Sequence, residues 1–162
     1  MRILGIDPGL ATVGIGLIET DSANSPQALD WCTITTKPGM SLAERLGEIH
    51  KDLRAYIQEA RPERAVVEKL FFGANKKTAL DVAQARGVIL LALEEAKIET
   101  LEPTPLELKS AVTGDGTADK KQIQQMVQMM CKLDETPKPD DAADALALAL
   151  YGSFVGEMVM IA

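Results

Sequence analysis

Four carboxylates stand where a solvated surface does not readily account for them: Asp7 in "RILGIDPG", Glu68 in "RAVVEKL", and Asp141 and Asp144 in "DAADALALAL". Asp7 closes a continuous apolar run just before a Pro-Gly turn, and Glu68 closes another after "AVV". Asp141 and Asp144, three apart, share one face of a helix near its start, where the macrodipole favours negative charge. Each acid also has a plain explanation: a turn aspartate bonded to its own loop, a solvated strand end, an N-cap followed by a first-turn acid. Asp140, directly after Pro139, suits the cap, and that leaves Asp144 unexplained inside "AADALALAL". Acids on a closely packed helix are costly unless something positive sits among them. Four carboxylates without a histidine or thiol cluster form a hard, oxygen-only donor set suited to Mg²⁺ or Mn²⁺. Magnesium keeps waters and binds phosphates, and two such ions about 3.5 to 4 Å apart can stabilise the attacking and leaving oxygens of a phosphodiester displacement. The chemistry expected of this set is metal-dependent phosphoryl transfer.

The elements that must position these acids follow from the pattern. "RILGID" and "VGIGLIE", joined by "PGLAT", predict two strands, and "ALDWCTITT" a third that completes a meander. Ser41 and Glu44 form a capping box ahead of Leu42, Leu46, Ile49, Leu53 and Ile57 at helical spacing, a helix ending near "EARPE". "RAVVEKL" predicts a buried strand, "FFGANKK" a polar loop, and the segment from about Thr78 to Ala96 a long helix. A short strand "IETLE", a short helix "LELKSAV", the Gly-rich loop "TGDGTAD" and the helix "KKQIQQMVQMMCKL" lead through "DETPKPD" to the last helix. Strands first, then alternation of strand and helix, predicts a mixed α/β sheet with helices on its faces.

With 162 residues, 46% of them hydrophobic, the chain fits a single domain spanning 1–162. The net charge of −7 argues against a nucleic-acid binder, because DNA affinity comes largely from cations that displace counterions. Distribution qualifies this: residues 63–121 are almost balanced and could present a basic face. Cys32 and Cys131 lack zinc spacing and are expected to be buried free thiols. No apolar stretch spans a membrane and no signal peptide is seen, so no membrane association and a cytoplasmic location are expected.

The segments "ILGIDPGLATVGIGLIE", "AVVEKLFFGANKKTALDVAQARGVIL", "GDGTADKKQIQQMV" and "DDAADALALAL", in that order and spacing, resemble the RuvC-type Holliday junction resolvases over nearly the whole chain. The resemblance implies a ribonuclease H-like fold with a mixed five-stranded sheet flanked by helices on both faces, in a bacterial-type cytoplasmic protein. It implies an active homodimer that nicks four-way junction DNA symmetrically with two Mg²⁺ per site, Mn²⁺ substituting, and works with a branch-migration motor of the RuvA-RuvB type. The family's acids fall on Asp7, Glu68, Asp141 and Asp144, with Asp140 outside the pattern. Its aromatic falls on Phe71, with Phe72 adjacent, and would stack on a base at the opened junction. Its lysine falls on Lys120, with Lys121 beside it and Lys109 upstream. These, with Lys76 and Lys77 of "FFGANKK", are the expected DNA contacts, although lysines opening a helix are commonly just a solvated face. The Gly-rich loop before Lys120 would add backbone N–H groups for a phosphate. Gly87, amid strong helix formers, costs about 1 kcal/mol relative to alanine and points either to a dimer contact on that helix, as in the family, or to packing inside one chain. Competing assignments are a nuclease of the same fold acting on structured RNA, an actin-like or sugar-kinase ATPase, and a binding module without catalysis.

Overall fold

The computed structural model describes residues 1–21, 25–70 and 76–158. Five strands form one sheet in the order β3-β2-β1-β4-β5. The meander of β1 (Arg2–Asp7), β2 (Thr12–Glu19) and β3 (Gln27–Thr35) is antiparallel, while β4 (Arg64–Val67) and β5 (Glu99–Leu101) run parallel to β1. The helices are α1 (Leu42–Ala60), α2 (Lys76–Glu95), α3 (Pro105–Thr113), α4 (Lys120–Met130) and α5 (Asp140–Met158). The mixed five-stranded sheet with helices on both faces is as the sequence predicts.

Strand alternation assigns side chains to faces. Leu4, Ile6, Val13, Ile15, Ala65 and Val67 join α1 and α2 in one core cluster, whereas Ile3, Ile18 and Val66 join α3, α4 and α5 in the other. The capping box opens α1 as expected, Ser41 Oγ accepting from Glu44 N at 3.3 Å and Glu44 Oε2 from Ser41 N at 2.7 Å. Ile49, Leu53 and Ile57 are its buried stripe, while Leu42 is exposed.

Helix α5 is apolar almost all round and buried from Ala145 to Leu150, so it fits only inside the molecule. It lies against β1 and β2 at backbone distance. A Cβ on Gly5 would sit 1.9 Å from the Ala145 carbonyl oxygen, and one on Gly14 would sit 2.0 Å from that of Asp141. No side chain fits there, and that lack brings the start of α5 down onto the end of β1.

Several boundaries differ from expectation. Lys76 and Lys77 lie within α2, which starts earlier than Thr78, because the polar loop is shorter than its composition suggests. Glu68 lies one residue beyond β4. Asp140 is the first residue of α5 and not its cap: the Pro139 carbonyl accepts from Ala142 and Ala143, and the Asp140 carboxylate turns to Lys120. Cys131 is a buried free thiol, but Cys32 is only half-buried because β3 is an edge strand.

Candidate active site

Asp7 follows Ile3 and Gly5 in alternation, and Glu68 follows Val66, so both acids project from the face covered by α5. Ile6 pairs with Val67 in the parallel ladder, which sets Asp7 and Glu68 side by side just past the last rung. The turn after Asp7 is pinned from behind: Thr36 Oγ1 donates to the Leu10 carbonyl at 2.8 Å and accepts from Arg45 Nε at 2.7 Å, and Thr36 N donates to the Ala11 carbonyl at 3.0 Å. From above, α5 delivers Asp144. Asp7, Glu68 and Asp144 line one cleft with Lys109 of α3, Lys120 of α4 and an apolar floor of Leu108, Ile123 and Ala147. Asp141 lies on the flank of this row, in a depression shared with Gly9, Thr12, Arg45 and Asp81.

The electrostatics record the crowding. Burial first, then the charges of Asp144, Glu68 and Asp141, push the Asp7 carboxyl up to about 7 against the partial relief of Lys120. Glu68 is raised by burial and by Asp144, with Lys109 opposing. Burial raises Asp144 too, although Lys120 Nζ donates to its Oδ2 at 2.9 Å. Lys120 also lies 3.4 Å from Asp140, and these two acids raise its own pKa. Positive charge is thus already drawn to Asp144 and Asp140 at the start of α5.

The expected basic residues part company here. Lys109 and Lys120 reach the cleft; Lys121 is exposed beside it and does not line it. Lys76 and Lys77 are placed on α2 by their backbone only, and Phe71 and Phe72 lie outside the described residues. Among the described residues of this segment, Arg64, Arg86 and Lys97 are taken by Glu99, Glu102 and Glu94 and so add little to a basic face. Nor does the Gly-rich loop offer its amides freely: Asp115 Oδ1 accepts from Thr117 N at 2.8 Å, and Asp119 Oδ1 caps α4 by accepting from Gln122 N at 2.8 Å. The two acids that interrupt the loop's basic character are there to hold its shape.

The crossover junction endodeoxyribonuclease RuvC family model matches residues 3–151. The chain belongs to the RuvC family. The RuvC protein of Chloroflexus aurantiacus is 51% identical over 154 residues, which are 95% of this chain and 93% of that one. A Thermus thermophilus RuvC structure matches with a TM-score of 0.90 and 34% identity, covering 98% of this chain and 97% of the other. T. thermophilus RuvC in complex with Holliday junction substrate matches with a TM-score of 0.88 and 32% identity, covering 98% and 96%. The fold is therefore ribonuclease H-like, and the activity of a RuvC-family protein is metal-dependent hydrolysis of DNA.

The donor set of this RuvC-family chain fits a hard divalent cation in kind, being oxygen-only, partly buried and self-repelling. Among the described residues no three acids converge tightly enough to enclose an ion unaided. Magnesium does not require that, since it retains several waters and takes one or two carboxylates at a time. Among the described residues no helix is long and apolar enough to cross a membrane.

What the sequence did not reveal is what holds the acids in place. The Gly5 and Gly14 contacts with α5 could have been looked for in the combination of Gly-containing strands with an Ala-rich helix. The Arg45–Thr36 pin and the Asp140–Lys120 pair carried no local signal.

Proposed function

We propose that this chain resolves four-way DNA junctions by paired symmetric nicks, as a structure-selective endonuclease of recombination and repair. The observation that carries this is the cleft in which Asp7, Glu68 and Asp144 face Lys109 and Lys120, inside a fold and family already assigned to DNA hydrolysis. Asp7, Glu68, Asp141 and Asp144 are the catalytic acids and the ligands of two Mg²⁺, for which Mn²⁺ can substitute. When bound, the ions supply an activated water and neutralise the leaving 3′ oxygen. The chain's own residues do the rest. Asp7 and Glu68, fixed to the rigid sheet, set the place of attack; Asp144 and Asp141 close it from α5. Lys120 balances Asp144 and, with Lys109, draws the scissile strand's phosphates into the cleft. Lys121, Lys76 and Lys77 contact flanking phosphates, and Phe71 or Phe72 stacks on a base freed at the junction centre.

A four-way junction has approximate two-fold symmetry, so a two-fold homodimer with equivalent sites matches it. Exposed Leu80 and Leu91 on α2, with open space at Gly87 between them, support a second copy packing there. Handover from a branch-migration motor of the RuvA-RuvB type completes the proposal. The test is to incubate the protein with a synthetic four-way junction, plain duplex and structured RNA, each with Mg²⁺ or with chelator, and to map nicks. Metal-dependent nicks at symmetric points of the junction alone are expected. Preferential cutting of RNA would favour the related nuclease instead.

A further inference from the structure

Arg86 belongs to α2, which packs on the face of the sheet away from α5, yet its guanidinium reaches the backbone that carries Glu68. Its Nε donates to the Glu68 carbonyl at 2.9 Å, and its Nη2 pairs with the Glu102 carboxylate. The side chain is only 15% exposed. The need for such a donor is written in the strand ends. The β1–β4 ladder stops at Ile6 and Val67, and the residue that follows Asp7 is Pro8, which has no N–H with which to extend it. The Glu68 carbonyl must find its partner elsewhere. On the other side of the same peptide unit, Lys69 N donates to the Pro103 carbonyl at 2.8 Å. One peptide plane, between Glu68 and Lys69, is thus held by its oxygen and by its nitrogen. Both holds lead to the consecutive residues Glu102 and Pro103 after β5. A guanidinium suits this place because its fixed fork serves a carbonyl and a carboxylate at once.

We propose that Arg86 is a positioning residue for Glu68: it clamps the Glu68–Lys69 peptide to the segment after β5 and so fixes where the Glu68 carboxylate stands relative to Asp7 and Asp144. This rests on Glu68 being a metal ligand, as proposed above. A mere staple of α2 to the sheet would affect stability alone.

The variants are Arg86→Ala, which removes both bonds; Arg86→Lys, which keeps the charge without the fork; and Glu102→Gln, which loosens the ion pair but leaves the carbonyl bond. Three quantities are read: Mn²⁺ affinity of the DNA-free protein by electron paramagnetic resonance, single-turnover cleavage rate, and junction affinity in chelator. Arg86→Ala is expected to lower Mn²⁺ affinity and rate by about 10- to 100-fold, the range for partners that orient a ligand, with junction affinity unchanged. Arg86→Lys falls between, and Glu102→Gln loses least. Should Arg86→Ala fail to fold, Arg86→Lys decides alone: a lower melting midpoint with wild-type Mn²⁺ affinity and rate overturns the proposal. Glu68→Gln is the control. If it binds Mn²⁺ as the wild type does, the assignment of Glu68 is wrong. If it loses Mn²⁺ while the Arg86 variants keep it, only the clamp is wrong.

Discussion

On one face of the sheet α1 and α2 cover Leu4, Ile6, Val13 and Ile15 with Ile49, Leu53, Ile89 and Leu93, large side chain against large side chain. On the other, α5 lies over Gly5 and Gly14 with backbone against backbone, and its first turns carry Asp141 and Asp144. The first arrangement is a store of stability that can relax a little when a residue shrinks. The second has no slack, because close-packed atoms leave nothing to give. The acids sit on the second. Both faces bury a core, but only on the second does helix backbone lie directly on strand backbone beside the acids. Shrinking a core side chain on the first face, away from the Arg45 and Arg86 contacts, should therefore cost stability, whereas displacing α5 should cost activity.

The strongest way to break this contrast is at the acids themselves. Asp7→Asn, Glu68→Gln, Asp141→Asn and Asp144→Asn should each lower cleavage by orders of magnitude while junction binding persists, because shape is kept and charge removed. Asp140→Asn should cut almost normally, since its partner is Lys120 and not the row. Normal cleavage by two of the four amide variants would end the assignment. Next in size is Gly14→Ala, whose new methyl meets the Asp141 carbonyl oxygen at 2.0 Å. Helix α5 must shift, and a displacement near 1 Å at the reacting groups costs about 100-fold in rate. Ile89→Ala on the opposite face should cost about 2–5 kcal/mol of stability, read by denaturant unfolding, with the rate unchanged. Equal rate losses from both variants would show that the two faces are not different in kind.

Most of the fold was legible in the sequence because most strands and helices showed a period or a turn signal of their own: the Ser41–Glu44 box, the "AVV" run before Glu68, the turn formers around Pro8 and Gly9. The four acids were legible as misfits in apolar context, and two of the lysines singled out with them, Lys109 and Lys120, line the same cleft as Asp7, Glu68 and Asp144. What stayed hidden is long-range. Arg86 meets Glu68 across 18 residues and Arg45 meets Thr36 from another element, and no local pattern encodes such meetings. In the loop "GDGTADK" the Asp115 oxygen is taken by the Thr117 amide and that of Asp119 by the Gln122 amide of α4. A cap and an anion site look alike in sequence: both are small polar residues before a helix.

Charge sharpens the comparison further. Replacing Lys109, Lys120 and Lys121 together by alanine should flatten the salt dependence of junction binding by up to about 0.9 unit of slope per lost phosphate contact. An unchanged slope would make them a solvated face. A smaller effect concerns pH. The Asp7 carboxyl is raised from 3.8 to about 7, so the folded protein keeps a proton that the unfolded chain has released in that window. A group shifted this way contributes stability that is present below about pH 4 and is lost as the pH rises through about 7. In chelator, the melting midpoint should therefore fall across this range, with Glu68 and Asp144 acting in the same direction. Asp7→Asn should remove most of the fall, and Mn²⁺ should offset it in the wild type. A midpoint flat with pH in chelator would mean the row is not strained.

The gentlest test contrasts one glycine with another. Gly14 is filled from above by α5, but a Cβ on Gly87 would have nothing within 4 Å among the described residues, and the residue is exposed among good helix formers on α2. Packing against the described residues of this chain does not explain it. For the isolated chain, Gly87→Ala should be stabilising by up to about 1 kcal/mol, the ordinary difference in helix propensity. In a dimer that brings a second backbone to this spot, the same methyl should push the subunits apart. Sedimentation velocity over a dilution series separates the two effects. We expect Gly87→Ala to dissociate at higher concentration than the wild type while its monomer melts slightly later, and Leu91→Ala on the same exposed face to weaken association too, by loss of contact. A variant that melts later and associates as the wild type does would place the dimer contact elsewhere. Gly87 would then be a surface glycine costing stability without return, and the two glycines would differ only in what covers them.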